Sequence, residues 1–303
     1  MRIAVIGPGA MGLLFGGYLS QKNEVTLIGT NPEKMKTIEE QGLVIRETDG
    51  TERTFYPHAT ADSSSMEPVD LAILQVKASA SESALTKNQG IIGPDTILMT
   101  LQNGMGHEVL MSRFADDHHL VIGTTQQGSY KLSETSICHS GGGKTFLGAV
   151  TGDSSRFEPI AETFSECGFP CEVCDQVQGM IWDKLMINAS SSVLSGILQV
   201  PQGYVEKDPF AWKIAQKLIR ELCATATADG YPFNAEAQIA RIQKHLQNAP
   251  DGFTSIFADL KAGRKTEVDV ISGAVVRAGQ RHQVAVPTHE LMVELVHAME
   301  NRA

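Results

Sequence analysis

The sequence is poor in aromatic residues, 6% of 303, and contains no block of basic ones. Lys and Arg number 25 against 35 Asp and Glu, a formal charge of −10. With neither a basic stripe nor aromatic interleaving, nucleic acid is excluded as the main partner. An acidic chain can still hold a small anion, because a few backbone amides and one or two local cations suffice. Cysteine is scarce and odd in number, five in all, which supplies no disulfide framework and suggests a reducing cytoplasm. Residues 3–6 are apolar but run at once into Gly7-Pro8-Gly9, too short a stretch for a signal-peptide core. The longest run without charge, residues 185–205, has the length of a membrane helix but contains Asn188, Ser190, Ser191, Ser192, Ser195, Gln199, Pro201 and Gln202. No membrane span is expected; the run reads as an apolar helix carrying a polar stripe.

What is present is a change of texture along the chain. In the first half, short apolar runs at 3–6, 25–28, 69–76, 96–101 and 120–124 alternate with helical stretches. Most are continuously apolar, as parallel strands covered on both faces are, so the pattern predicts a doubly wound α/β sheet. Residues 129–147 read as short strands extending that sheet in antiparallel fashion, and a helix at 154–167 and a strand at 171–174 close it. Beyond Asp175 only helices are predicted, at 177–198, 209–228, 235–246, 254–261, 267–282 and 288–299. Length alone suggests two domains at about 150 residues each. The expected division is 1–175, a Rossmann-type dinucleotide-binding domain, and 176–303, an all-α substrate-binding domain.

Gly7-Pro8-Gly9-Ala10-Met11-Gly12 follows the first strand and heads a helix. The first Gly of G-x-G-x-x-G makes the tight turn, the second lets a pyrophosphate approach the backbone, and the third lets helix pack on strand. In this context it predicts dinucleotide binding. The second strand ends at Ile28-Gly29-Thr30-Asn31, with no acid to hold a ribose 2′-hydroxyl, and the helix start at Asn31-Pro32, with Thr30 and Lys34 nearby, could take a 2′-phosphate. NADP is favoured, while Glu33 and the lack of an Arg leave NAD open.

Three further groups carry chemistry. Gln102-Asn103-Gly104-Met105-Gly106 follows a strand end, where an open α/β sheet binds its ligand, although Asn-Gly is also a common turn. Lys77, at another strand end, is either a crevice cation or a solvated lysine. Lys184, Asn188 and Ser192 lie at i, i+4 and i+8 on one face of the 177–198 helix. Ammonium, amide and hydroxyl make a poor core face and a good wall for a carbonyl compound; the alternative for Lys184 is a snorkelling surface lysine beside Asp183. Glu267 is expected in a first helical turn, where an acid is favourable without any function. Cys167, Cys171 and Cys174 straddle a helix end and a strand and read as small apolar residues, and the nine histidines show no zinc-peptidase spacing, so no metal site is predicted.

Taken together these residues resemble the ketopantoate reductase family, the 2-dehydropantoate 2-reductases. The anchors span the chain: the glycine motif, Val76-Lys77, the segment 102–106, Trp182-Asp183-Lys184-Leu185 with Asn188, Ser255, Lys265-Thr266-Glu267-Val268-Asp269, and Val286-Pro287. The resemblance implies a Rossmann domain joined to a helical domain, with NADPH and a 2-oxo acid in the cleft between them. It implies Lys184 as catalytic acid and Glu267 beside cofactor and substrate. It places Asn103 on both ligands, Asn188 and Ser255 on substrate, and Ser129 on the cofactor. The sequence departs from the family where Ser192 replaces a second Asn, where Gln202 stands for a further one, and where Thr30 replaces an Arg. The activity expected is NADPH-dependent reduction of 2-dehydropantoate by a cytoplasmic monomer or homodimer. The rivals are an NAD-dependent D-2-hydroxy acid dehydrogenase on the same scaffold and, more remotely, a non-catalytic NADP sensor.

Overall fold

The computed structural model describes residues 1–302, which divide into two compact units: 1–102 with 107–177, and 103–106 with the chain from Gln178 onward. In the first unit the chain runs through β1 (Arg2–Ile6), α1 (Ala10–Leu19), β2 (Glu24–Ile28), α2 (Pro32–Gln41), β3 (Leu43–Arg46), β4 (Glu52–Phe55), β5 (His58–Thr60), β6 (Leu71–Leu74) and α3 (Ser81–Lys87). It continues through β7 (Ile97–Thr100), α4 (His107–Met111), β8 (Leu120–Thr125), β9 (Gly128–Lys131), β10 (Ser136–Gly141), β11 (Thr145–Ala149), α5 (Glu158–Glu166) and β12 (Cys171–Val173).

Eight strands form the main sheet in the order β12-β11-β8-β7-β6-β1-β2-β5, parallel except where β11 runs against β8. The central strands are buried throughout, Ile3 to Ile6 and Leu71 to Leu74 among them, because helices cover both faces. The α/β sheet predicted from the apolar runs is therefore present. The expected antiparallel extension is correct only for β11. Strands β9 and β10 instead join β3 and β4 in a separate four-stranded sheet, β4-β3-β10-β9. Strands β3 to β5 escaped the sequence reading: β3 is a short run of four residues whose Leu43 and Ile45 are buried, while β4 is mostly exposed and β5 has no buried residue. In β4, Glu52, Arg53 and Thr54 face solvent and only Phe55 is buried, so no apolar run marks the strand.

The second unit is helical: α6 (Val177–Ile187), a π-helical turn (Asn188–Ser192), α7 (Val193–Leu198), α8 (Gln202–Lys207), α9 (Pro209–Ala228), α10 (Ala235–Asn248), α11 (Ser255–Lys261), α12 (Ser272–His282) and α13 (Pro287–Glu300). Among the described residues no strand follows β12. Asp208 caps α9 by accepting the Phe210 and Ala211 N–H groups, with Pro209 in the first turn. No helix among the described residues is long and apolar enough to cross a membrane.

The helix expected from Glu267 begins only at Ser272. Glu267 sits in a turn whose carbonyl accepts the Val270 and Ile271 N–H groups. The Val270 carbonyl accepts the Met105 N–H at 2.9 Å, outside any helical ladder. Segment 103–106 thus packs with the helical unit, and a Cβ on Gly104, at φ +92°, would lie 2.3 Å from that same Val270 carbonyl.

Candidate active site

In the first unit the glycine turn is shaped by backbone. Gly7 has φ +107° and donates its N–H to the Ile28 carbonyl at 2.9 Å, and a Cβ there would strike Val76. A Cβ on Gly12 would come 2.0 Å from the Gly7 carbonyl, so α1 can approach the turn only with glycine at that position. Gly9 is the opposite case. A Cβ there would meet nothing of the chain within 4 Å, and no side chain caps the helix that Gly9 opens. The first-turn amides around Ala10, Met11 and Gly12 face a space of the kind a pyrophosphate fills. By that measure the residues present fit a dinucleotide.

Other residues singled out from the sequence surround this turn to differing degrees. Ser129 on β9 places its hydroxyl 3.1 Å from the Met11 sulfur. Thr30, just past β2, is exposed, and Lys77, just past β6, is exposed and opens the short 3-10 turn Ala78–Ala80. Lys34 is built into the glycine turn. Its backbone N–H is capped by the Asn31 side chain, and its ammonium is buried and donates to the Pro8 carbonyl at 2.7 Å, which ties the start of α2 to that turn.

The second unit gathers side chains. Two anchors fix the rotation of α6: the buried Trp182 indole N–H donates to Asp229 at 3.0 Å, and Asp183 pairs with Arg241 at 2.9 Å. Asp183 is engaged there, and Lys184, the next residue, is half-buried on the helix. Burial lowers its pKa from 10.5 to about 8, the nearby Glu267 carboxylate opposing the shift. Glu267 in turn lies 3.5 Å from the Asn103 amide nitrogen. Lys184, Glu267 and Asn103, taken from three stretches of sequence, thus form one group.

Asn188 and Ser192 continue the row across the π turn, Asn188 half-buried and Ser192 buried. The serine run explains the bulge: the Ser190 hydroxyl donates to the Met186 carbonyl, that of Ser191 to Ile187 at 3.4 Å, and the Thr254 hydroxyl to the Ser192 carbonyl at 3.3 Å. Such hydroxyls satisfy carbonyls that the widened turn leaves, and π bulges recur at functional sites. Gly196 lets α11 close on α7, since a Cβ there would meet Ile256 at 2.5 Å, and Ser255 heads α11 beside the Thr254 cap with its side chain exposed.

The turn carrying Glu267 is held from α13, an arrangement invisible in sequence. The Glu300 carboxylate, 2% exposed, accepts the Thr266 N–H at 2.7 Å and the Thr266 hydroxyl at 2.8 Å and pairs with Lys265 at 3.3 Å and His297 at 3.0 Å. Burial opposes its charge, yet these donors hold its pKa down to about 2. All five cysteines are free thiols, and no group of three or more His, Cys, Asp or Glu among the described residues is placed to hold a metal ion.

Residues 3–152 match the family model of ketopantoate reductase PanE/ApbA, and residues 176–300 match the model of its C-terminal domain. The chain belongs to the ketopantoate reductase PanE/ApbA family. Among ketopantoate reductases, it is 29% identical over 298 residues to the 2-dehydropantoate 2-reductase of Halobacterium salinarum, covering 98% of each chain. It is 30% identical over 311 residues to that of Lactococcus lactis, covering 99% of this chain and 98% of the relative. Among solved structures, D-mandelate dehydrogenase with NADH and anilino(oxo)acetate superposes with a TM-score of 0.93 at 30% identity, over 100% of this chain and 99% of the other.

Proposed function

We propose that the protein reduces the ketone of 2-dehydropantoate to give pantoate, the reductive step toward pantothenate, using NADPH. The observation that carries this reading is the Lys184 group: an ammonium whose pKa burial has brought to about 8, with the Glu267 carboxylate beside it and the Asn103 amide on that carboxylate. Reduction of a ketone builds negative charge on the carbonyl oxygen, and a preplaced cation that can also release a proton meets both needs. Lys184 polarises the oxygen and then transfers a proton from Nζ to it. Glu267 steadies the Lys184 charge. Asn103, Asn188, Ser192 and Ser255 offer amides and hydroxyls to the carboxylate and hydroxyl of the substrate.

The residues that would hold the cofactor are Gly7, Pro8, Gly9, Ala10, Met11 and Gly12, with Thr30, Lys77 and Ser129 beside them; Asn103 and Glu267 are further candidates through the family resemblance. When bound, the reduced nicotinamide supplies a hydride to C2 of the substrate. NADPH is preferred to NADH in this reading because Thr30, and no acid, follows β2.

A second reading is favoured by one observation, the likeness to D-mandelate dehydrogenase with NADH. Ser192, standing where many family members have Asn, suits a substrate with fewer polar groups. Initial rates of dinucleotide oxidation with 2-dehydropantoate and with a panel of branched and aromatic 2-oxo acids, each with NADPH and NADH, separate the two. Fastest turnover of 2-dehydropantoate with NADPH is expected; a clear preference for an aromatic 2-oxo acid with NADH replaces the first reading by the second.

A further inference from the structure

Lys34 occupies the first turn of α2, directly beyond β2, where a dinucleotide fold reads the ribose 2′ position. Its ammonium is built in: the side chain is only 6% exposed, and Nζ is tied to the Pro8 carbonyl of the glycine turn at 2.7 Å. Lys131, the last residue of β9, brings a second ammonium to the same place. Between them lies Glu134, in the turn joining β9 to β10, 3.3 Å from Lys131 and 3.5 Å from Lys34. Glu134 is 67% exposed, so it can leave without disturbing either strand.

Two ammonium groups facing one carboxylate leave a net positive charge. Burial, and next the charge of Lys131, lower the Lys34 pKa, and Lys131 chiefly holds the Glu134 carboxyl below its ordinary range. A phosphate dianion balances such a pair better than a single carboxylate does.

We propose that Glu134 sets the choice between NADPH and NADH: its carboxylate holds the position on Lys34 and Lys131 that the 2′-phosphate of NADP takes, and so weakens NADP binding relative to NAD. The inference rests on the dinucleotide reading above. It adds to the β2–α2 connection a second contributor, the turn between β9 and β10, and makes Glu134 the residue that tunes the preference.

The test uses the full chain and two probes that differ only in the phosphate, 2′,5′-ADP and 5′-AMP, titrated at low ionic strength into wild type, Glu134→Gln and Glu166→Gln. Glu166 pairs with Lys22 elsewhere on the first unit and controls for bulk charge. In Glu134→Gln the affinity for 2′,5′-ADP relative to 5′-AMP should rise roughly 5-fold, the effect of one exposed charge at about 4 Å. Glu166→Gln should leave the ratio at the wild-type value. An unchanged ratio in Glu134→Gln, or an equal rise in both variants, overturns the inference and leaves the dinucleotide reading standing. Failure of the wild type to bind either probe, NADPH or NADH overturns the dinucleotide reading and the inference with it.

Discussion

The two units each contain a lysine taken out of water, and the two lysines are used differently. Lys34 in the first unit is locked to a backbone carbonyl and shares one carboxylate with a second ammonium. Its ammonium ties the start of α2 to the glycine turn. Lys184 in the second unit sits on a helix whose rotation is set by Trp182 and Asp183, with a pKa of about 8. In the proposed reaction it is the proton donor. The difference teaches how setting divides the work: Lys34 is hydrogen-bonded into the glycine turn, which suits binding, and burial brings the Lys184 pKa to about 8, which suits chemistry.

The largest effect that tests this division is Lys184→Ala, which should lower kcat at least about 10²-fold with little change in cofactor affinity. Near-normal turnover in that variant would remove the lysine from the mechanism. Glu300→Ala should come next. Removing a buried carboxylate that holds Lys265, Thr266 and His297 should destabilise the protein by about 3 kcal/mol, read from urea unfolding. The sign with pH follows from the depressed pKa: the contribution of Glu300 is fully present above its ordinary 4.5 and is lost as pH falls toward about 2. In the first unit, Gly9→Ala should leave the melting temperature near wild type, since the added Cβ meets nothing of the chain. It should weaken NADPH binding by about tenfold, or ~1.4 kcal/mol, because the new methyl fills the space kept for a ligand. A loss of stability without a loss of affinity would contradict that reading of the turn. The smallest effect is the roughly 5-fold change in phosphate discrimination expected for Glu134→Gln.

Much of the fold was legible because the features that signalled it are local. Continuous apolar runs marked β1, β2, β6, β7 and β8, and the glycine spacing marked the turn before α1. Strands β4 and β5 were hidden because they carry no apolar run, β4 being mostly exposed and β5 without a buried residue, and β3 because its apolar run is only three residues long. The candidate site was legible where an unusual residue stands in an apolar setting, as with Lys184 and Asn188 on α6 and its π turn. It was not legible where contacts join distant positions. Glu267 belongs to a turn because Glu300, more than thirty residues on, takes the Thr266 N–H and because Met105 takes the Val270 carbonyl. An acid after Lys-Thr looks the same in sequence whether it starts a helix or is held in a turn. The π turn was equally hidden: the i, i+4 spacing of Lys184 and Asn188 is the same whether the following turn closes on four residues or five, and only the Ser190-Ser191-Ser192 run gave a signal that could have been read.

The pH dependence of 2-dehydropantoate reduction tests the central claim, that burial makes Lys184 the proton donor, most directly. The donor must be protonated, so kcat/KM for the wild type should be level below pH 7 and fall as pH rises through about 8, while the residual rate of Lys184→Ala should lose that break. A wild-type rate that stays level to pH 10, or a break near 8 that survives in Lys184→Ala, would contradict the account.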